Sequence, residues 1–410
     1  MFSAQEVAKH NCKTDAWIIY NHGVYDVTNW IQYHPGGQDI LSRFAGKDAT
    51  DEMQAFHDMK KISGFLADYW VGSTAPSISL VQRDFRKLGL YFEKMKFLEP
   101  PSYYKESILL CIYFCVVIYL ALSYPLVAAV ALGMFWQQTA FLCHDIGHNT
   151  SNQKMGYFLG NLLSGTGLAW WKHSHYIHHT AANNMYEDPD IHLLPFFCLH
   201  KKFFESIYCT YHKRIMEFGR ISSILVPYQH YLYYPIMAVS RVNLYFQSMI
   251  FQPCDRIGLL LQLLFLLWYF TLLSRIANPI LFHFLSHAVA GILHIQITLS
   301  HFARPINTEE LDFFTRGVDA SMDIDCHRAM DWFHGGLQFQ TTHHLFPRLQ
   351  RQKLRKATVL VKTLCEKHNL PYTALSFQQA NVVVFRRLRQ VASEADGWFS
   401  GIWDSINANG

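Results

Sequence analysis

The chain of 410 residues carries 35 basic and 31 acidic residues, and its formal net charge of +4 is small for this length. A nucleic-acid-binding protein of this size normally carries a denser basic patch, so the composition argues against that class. Hydrophobic residues make up 50% of the chain and charged residues only 16%, whereas soluble domains average about 25% charged residues. The composition therefore excludes disorder for the chain as a whole and indicates that part of it lies in a lipid bilayer.

The cysteines and the first residues indicate a cytosolic N-terminus. The nine cysteines include no Cys-x-x-Cys pair, which argues against a disulfide framework or a cysteine zinc site and suits a reducing compartment. Residues 1–6 show no basic start followed by an apolar run, so we predict no cleaved secretory signal.

Residues 1–72 are predicted to form a soluble α+β unit. Short β-like runs at residues 16–20 and 24–27 alternate with turns, and short helical stretches follow them. Residues 73–106 are expected to begin as a linker, because small residues and proline dominate there. A charged amphipathic stretch at residues 82–98 is then expected to lead to the membrane.

Residues 107–376 are predicted to form an all-α membrane domain with four transmembrane helices. No Asp, Glu, Lys or Arg occurs from Ser107 to His144, a stretch of roughly 57 Å as one helix, whereas the hydrocarbon core is only about 30 Å thick. A helical hairpin fits this length, and Pro125 is its natural break because proline stops a helix.

The sequence of the second half of this domain predicts another helical hairpin. Its two helices are the uncharged runs at residues 257–274 and 276–303. The uncharged run 221–240 carries two prolines among four tyrosines, so we expect it at the membrane interface and not across the bilayer. The glycine-rich run 155–171 is likewise expected at the surface, and residues 377–410 are expected to be a cytosolic tail.

The N-terminal unit contains a candidate heme site. The segment His34-Pro35-Gly36-Gly37 lies 23 residues before His57, with the β-like run 24–27 upstream. Two neutral imidazoles on separate short elements can bind one iron from opposite sides, which leaves no open position and suits electron transfer. The segment resembles cytochrome b5, and this resemblance implies that His34 and His57 are the axial ligands of a b-type heme.

Histidine is the unusual residue of the membrane domain, because 18 of the 23 histidines lie between His144 and His344. Three clusters have spacings that place their members on one helical face. Any one cluster could be a polar helix end, but three in one membrane protein indicate a metal site. Imidazole suits iron, copper and zinc, and the count exceeds the needs of one tetrahedral zinc, so two metal ions fit better. The clusters are His144 with His148, His175 with His178 and His179, and Gln340 with His343 and His344.

The order of the crossings places the three clusters on one side. Two crossings precede the first two clusters and two more precede the third, provided that residues 221–240 do not span the membrane. The same arrangement puts the basic residues of 348–356 on the cytosolic side, as the positive-inside rule prefers. We therefore expect a cytosolic, histidine-rich cap on the membrane domain.

A cytochrome b5 unit fused to His-x3-His, His-x2-His-His and Gln-x2-His-His boxes resembles the front-end desaturases of membrane lipids. The segments Trp170-Trp171-Lys172 and Leu345-Phe346-Pro347-Arg348, beside the second and third boxes, are similar to that family as well. The resemblance implies heme b, two non-heme iron ions held by the boxes, molecular oxygen as co-substrate and an endoplasmic reticulum membrane location. An NADH–cytochrome b5 reductase is the implied electron donor. Gln340 in place of a histidine is typical of this family.

The resemblance also implies one more iron ligand near the end of the last transmembrane segment. His301 is the best match, and His294 is the alternative, seven residues or about two turns deeper. His283 and His287 lie deeper still and are expected to be packed against a hydrogen-bond partner. His173 falls off the face of His175 and is left out of the ligand set.

Two acidic sites flank the boxes. Asp145 cannot easily share the face of its neighbouring histidines, so we expect it to orient a ligand imidazole through a hydrogen bond. Asp188-Pro189-Asp190 follows the second box and could orient a ligand imidazole in the same way, although a turn is its simpler role.

The function that follows from the resemblance is oxygen-dependent desaturation of a lipid chain in polyunsaturated fatty acid biosynthesis. An unactivated methylene needs an oxidising metal centre, which a cofactor supplies and the protein positions. A sphingoid base is the alternative substrate, and the carrier of an acyl chain could be CoA or a phospholipid. A b5-fused lipid hydroxylase and a membrane-anchored electron carrier are more remote alternatives, and the carrier would leave the clustered histidines without a purpose.

Overall fold

The structure is a computed structural model that describes residues 1–76, 78–149, 152–250, 255–309 and 311–407, with side chains up to residue 395.

The N-terminal domain is a small mixed sheet covered by short helices. Strand β2 pairs antiparallel with β1 and β3 and parallel with β4, and β3 also pairs with β5. Side chains alternate across β2, so Ile18 packs with Val27 and Ile31 on the helical side while Ile19 packs with Val24 on the other side. The elements are α1 (Ala4–Val7), β1 (Asn11–Cys12), β2 (Asp15–Tyr20), β3 (Gly23–Asp26), α2 (Gln38–Ser42), β4 (Lys47–Asp48), α3 (Thr50–Phe56), α4 (Met59–Ala67) and β5 (Trp70–Ser73).

The amphipathic stretch after this domain forms helix α5 (Leu80–Lys94), and it does not simply lead to the membrane. Ser79 and Gln82 form a capping box that satisfies backbone N–H groups at the start of the helix. Phe85 and Phe92, seven residues apart and so on one face, are buried in an aromatic core with Phe346. The helix is therefore built into the cap that carries the histidines.

Among the residues that the structure describes, four helices are long and apolar enough to cross a membrane, as the sequence predicts. The first two are α6 (Tyr104–Ser123) and α7 (Pro125–His148), and their break falls at Pro125, which occupies the first helical position where a missing N–H costs nothing. Helix α7 is mostly buried and α6 is mostly exposed. The inner helix α7 thus ends in the first histidine pair.

The segment between the two pairs of long helices packs against them. It contains α8 (Gln153–Gly156), a π-helix at Tyr157–Leu163, α9 (Leu168–Ala181), strands β6 (Ile207–Cys209) and β7 (Arg214–Met216), α10 (Arg220–Leu225), α11 (Gln229–Val239) and α12 (Arg241–Ile250). Leu159 and Leu163 share a buried core with Phe265 and Tyr269 of the third long helix, so the glycine-rich run 155–171 packs against the long helices. It is not one of the candidate membrane spans of the described residues. The 11 residues of α11 would span about 16 Å, too short for a crossing.

The second pair of long helices is α13 (Arg256–Leu273) and the helix that runs from Pro279 to Leu299, which a break at Gly291 divides into α14 (Pro279–Ala290) and α15 (Ile292–Leu299). Asn278 caps α14 through the backbone N–H of Leu281. Helix α14 packs along α7 and is the main partner of that inner helix.

The remaining chain completes the cap. Its elements are α16 (Phe313–Asp319), β8 (Asp323–Asp325), α17 (Asp331–His334), α18 (Gln340–Leu345), α19 (Arg351–Lys367), β9 (Ala374–Ser376) and α20 (Phe377–Asn407). In α20, the apolar residues Ala380, Val384, Leu388 and Val391 recur at helical spacing and are buried against the segment after the second histidine box. The expected tail is thus, over its described side chains, a packed helix.

The contact between α7 and α14 depends on Gly133, and this gives a stability prediction. A Cβ atom at Gly133 would lie 2.6 Å from the carbonyl oxygen of Ser286 and 2.6 Å from Cβ of Val289. Gly133→Leu should therefore destabilise the purified protein by about 1–3 kcal/mol, as overpacked cores do, and lower its melting temperature in detergent. Val130→Leu, on the exposed side of the same helix, should leave the melting temperature unchanged. Equal melting temperatures for the two variants would contradict this packing.

Candidate metal centre

The N-terminal domain holds His34 and His57 close together, with their rings tilted by 59°. Their ring centroids are 6.0 Å apart, and a metal–nitrogen bond of about 2 Å on each side fits between rings at this separation. Each Nδ1 lies 3.2 Å from a backbone carbonyl, that of Gly37 for His34 and that of Met53 for His57. Nδ1 then carries the proton, and Nε2 keeps the lone pair that a metal requires.

The electrostatics of this pair suit a heme iron. Burial lowers the pKa of His34. Burial, together with the neighbouring His34, lowers the pKa of His57 to about 4. Both imidazoles are therefore neutral at pH 7 and able to bind a metal, so the residues present fit the heme that the sequence implies.

Eight further histidines converge beside this domain from four separate elements. Two come from the end of α7, three from α9, one from the turn after α15 and two from α18. Within each of two groups, the potential ligand atoms lie within 4.8 Å of one another. The first group is His144, His148, His175 and His343, and the second is His178, His301 and His344.

His179 lies between the two groups. Its ring centroid is 4.3 Å from that of His344 and 4.7 Å from that of His343. Its Nε2 atom lies 3.0 Å from Nε2 of His175. The helical spacing in α9 therefore places His175 in the first group, His178 in the second group and His179 at the boundary between them.

The close approach of α7 and α9 positions the first group. A Cβ atom at Gly147 would lie 2.2 Å from the Trp171 ring, so only glycine permits this contact. Trp171 lies one turn before His175 and stacks on its ring at 4.4 Å. The indole thus holds the imidazole in place, a role that the i, i+4 spacing could have indicated.

Two contacts orient the second group. His301 Nδ1 lies 2.8 Å from the carbonyl of Ala320, and His178 Nδ1 lies 3.0 and 3.1 Å from the two carboxylate oxygens of Asp188. Asp188 is fully buried and also accepts the backbone N–H groups of Asn183 and Asp190. Both Nδ1 atoms are thus occupied, so the Nε2 atoms are free for a metal.

Charge distinguishes His178 from its neighbours. Burial lowers its pKa, but the carboxylates of Asp188 and Asp190 outweigh burial and raise the pKa to about 9. Burial and the surrounding imidazoles hold the pKa values of four other histidines of the cap well below the ordinary value. A metal at Nε2 of His178 would displace one proton, while Asp188 keeps the other proton at Nδ1. The histidines with lowered pKa values are His175, His179, His343 and His344.

Several buried polar atoms in this centre have no hydrogen-bond partner among the described residues. They include Nε2 of His144, Nε2 of His343 and Oε1 of Gln340. Buried polar groups are normally paired, so an unpaired set at one place needs an explanation. Metal ions supply one, because imidazole nitrogen and amide oxygen are both metal ligands. The donor set therefore fits two irons.

The structure separates the other candidates from this centre. His294 bonds Ser240 through Nδ1 at 2.5 Å and is not part of either group, whereas His301 is. His283 and His287 bond the hydroxyl groups of Tyr269 and Tyr245, as expected for packed histidines.

The expected role of Asp145 is wrong. Its carboxylate pairs with Arg351 at 2.8 Å and lies 3.7 Å from His144 Nδ1, beyond hydrogen-bond distance. Asp188, for which the sequence offered a turn or an orienting role, has both roles, because it caps that turn and also orients His178.

The comparisons with known proteins agree with this geometry. The "Fatty acid desaturase" family model matches residues 121–376, and the "Cytochrome b5-like Heme/Steroid binding domain" model matches residues 3–75.

Curated relatives match along the whole chain. Delta(8)-fatty-acid desaturase 2 of Arabidopsis thaliana is 35% identical over 446 residues, which covers 100% of this chain and 98% of that protein. Acyl-lipid (9-3)-desaturase of Borago officinalis is 34% identical and covers 100% of this chain and 98% of that protein. Delta 8-(E)-sphingolipid desaturase of Kluyveromyces lactis is 29% identical and covers 96% of this chain and 93% of that protein. The chain therefore belongs to the fatty acid desaturase family, among the members that carry a fused cytochrome b5-like domain.

Proposed function

We propose that the chain is an oxygen-dependent front-end desaturase that introduces a double bond into a fatty acyl chain, with electrons delivered through its own heme domain. The observation that carries this proposal is the convergence of seven buried or half-buried imidazoles in two groups, with His179 between them, beside a bis-histidine heme site. One structural metal would not need so many ligands.

The proposed ligands follow the two groups. His34 and His57 would hold the heme through Nε2. The first iron would take its ligands from the group of four histidines and the second from the group of three. His179, at the boundary between the groups, and Gln340, whose buried Oε1 has no partner among the described residues, are the further candidate ligands. When bound, the irons supply the oxidising chemistry for an unactivated methylene and the heme supplies electrons. Burial keeps the imidazoles of His175, His179, His343 and His344 in their neutral, metal-binding form, and Asp188 holds the proton at Nδ1 of His178.

The relatives support the desaturase reaction and leave two substrate classes. The two plant relatives named above carry names that refer to fatty acids or acyl lipids, and they are more similar to this chain than the sphingolipid desaturase of Kluyveromyces lactis. An acyl chain is therefore the proposed substrate, and a sphingoid base is the second candidate. With its headgroup at the interface and its tail among the helices, the substrate would be desaturated at a position counted from the headgroup end.

The cellular setting follows from the same chemistry. A bis-histidine heme has no open position for oxygen and so acts as an electron carrier that must be reloaded. An NADH–cytochrome b5 reductase in the cytosol is the proposed donor, and the endoplasmic reticulum membrane is the proposed location.

The ligand assignment predicts the iron content. Purified protein should contain about three irons per chain including the heme iron. His148→Ala or His343→Ala should lose non-heme iron and product but keep the low-spin heme spectrum. His34→Ala should lose that spectrum and most activity but keep the two non-heme irons. His283→Ala, a control outside both groups, should keep all three irons, and heme iron alone in active unaltered protein would contradict the assignment.

The contact between Asp188 and His178 predicts a second effect. Asp188→Asn removes the carboxylate that orients His178, and loss of such a partner typically lowers metal affinity about 10–100-fold. Non-heme iron should therefore leave this variant at a lower chelator concentration, as measured by iron analysis after dialysis. Asp190 lies 3.6 Å from the same nitrogen and is more exposed, so Asp190→Asn should have the smaller effect. Equal iron retention by Asp188→Asn and unaltered protein would show that the contact is dispensable.

Substrate class is tested by expression in a yeast without front-end desaturases. We expect new double bonds in fed C18 or C20 acids, detected by gas chromatography of the total lipids. New unsaturation confined to the long-chain bases would assign the chain to sphingolipids instead, and hydroxylated products without new double bonds would overturn the desaturase proposal.

A further inference from the structure

Phe56 connects the two metal sites. It is the last residue of α3 and directly precedes His57. Its ring meets His179 edge-on at a centroid distance of 6.0 Å, and it also contacts Tyr176 at 6.1 Å and Phe313 at 6.3 Å. One side chain thus spans the gap between the residue next to a heme ligand and a histidine of the iron centre.

Ion pairs on both sides of Phe56 fix this contact. Arg43 of the heme domain pairs with Glu187 at 2.5 Å, and Glu52 of the heme domain pairs with Arg316 at 3.0 Å. The guanidinium of Arg348 also donates to the backbone carbonyl of His57. The charges of the two pairs run in opposite directions across the interface, so they select one orientation of the heme domain.

The part of the heme site around His34 also faces the domain that carries the iron centre. A Cβ atom at Gly37 would lie 3.2 Å from Nδ1 of His173, which belongs to the same helix as the second histidine box. Helix α9 therefore contacts the residue before His57 and passes close to Gly37, three residues after His34. The heme domain is docked with its metal-binding side toward the irons.

We propose that this docked arrangement is the one that transfers electrons, and that Phe56 is the positioning residue that couples His57 to His179. This inference rests on the proposed function. Each new double bond consumes one O2, two electrons from the heme and two protons from solvent, while the substrate loses two hydrogens, and two waters form. The heme carries one electron at a time, so two transfers must occur for each product.

The length of the gap between the two metal sites controls the rate of electron transfer. Electron transfer through protein weakens steeply as the distance between packed atoms grows, and a packed ring leaves no void on the path. Because the contact already exists in the docked state, no movement of the heme domain is needed between the two transfers. A shorter side chain at position 56 would open a gap on this path without altering any metal ligand.

The test compares Phe56→Leu, Phe56→Tyr and Phe56→Ala in full-length protein that carries heme and iron, in nanodiscs of lipid from the expressing yeast. The heme is reduced with dithionite and mixed with air-saturated buffer, and its reoxidation is followed by absorbance. His178→Ala gives the rate without a complete iron centre. Phe65→Leu is the matched control, because Phe65 packs on Trp30 and Tyr69 within the heme domain.

We expect rapid reoxidation in unaltered protein, in Phe56→Tyr and in Phe65→Leu. The rate should fall in Phe56→Leu and fall further in Phe56→Ala, toward that of His178→Ala, with the heme reduction potential and the iron content unchanged. An unaltered rate in both Phe56→Leu and Phe56→Ala would overturn the role of Phe56 but not the proposed function. Unaltered protein that reoxidises no faster than His178→Ala would overturn the proposed function together with this inference.

A charge exchange tests the docking independently of the ring. Glu52→Arg should repel Arg316, raise the hydrogen exchange of the backbone amides of α3 and slow reoxidation. The double variant Glu52→Arg with Arg316→Glu should restore both the protection of these amides and the rate. A deprotected α3 in Glu52→Arg combined with an unaltered reoxidation rate would overturn the proposal that the docked state transfers the electrons.

Discussion

One requirement determines much of this structure: many nitrogen lone pairs must point into the same buried space. Unpaired polar atoms are costly away from water, and the cap collects them from four elements that are far apart in the sequence. Each imidazole must offer a lone pair to the metal and must be held in one orientation. Gly147 and Trp171 bring α7 and α9 close enough together, while the carbonyl of Ala320 and the carboxylate of Asp188 fix the direction of single rings.

The sequence predicted those parts of the site that depend on local spacing, and the fold class and family are confirmed. Helical periodicity places His144 on the same face as His148, and the small N-terminal domain brings His34 close to His57. The sequence could not decide whether His301 or His294 is the additional ligand, because seven residues are about two helical turns and both side chains would share one face. The separation arises because α15 ends at Leu299, so that His301 lies in the turn beyond the helix. Tertiary packing, which no local pattern encodes, also determined where α5 and the run 155–163 lie.

Docking of the heme domain and orientation of a metal ligand involve the same loop. Glu187 binds Arg43 of the heme domain, and the next residue, Asp188, binds His178. Asn183, at the start of this loop, donates its side-chain amide to the carbonyl of His301. The loop therefore contacts the heme domain on one side and two histidines of the second group on the other, so its geometry is held from both directions.

Helix α5 has a consequence for how electrons are shared among chains. Only six residues separate the end of β5 at Ser73 from the start of α5 at Leu80, and a fully extended segment of that length reaches about 20 Å. Because α5 is anchored in the cap by Phe85 and Phe92, the heme domain cannot travel far from its own iron centre even when it is released. A heme on such a short linker reduces only the iron centre of its own chain. Even at high density in a membrane, these proteins would therefore act independently and would not exchange electrons between chains.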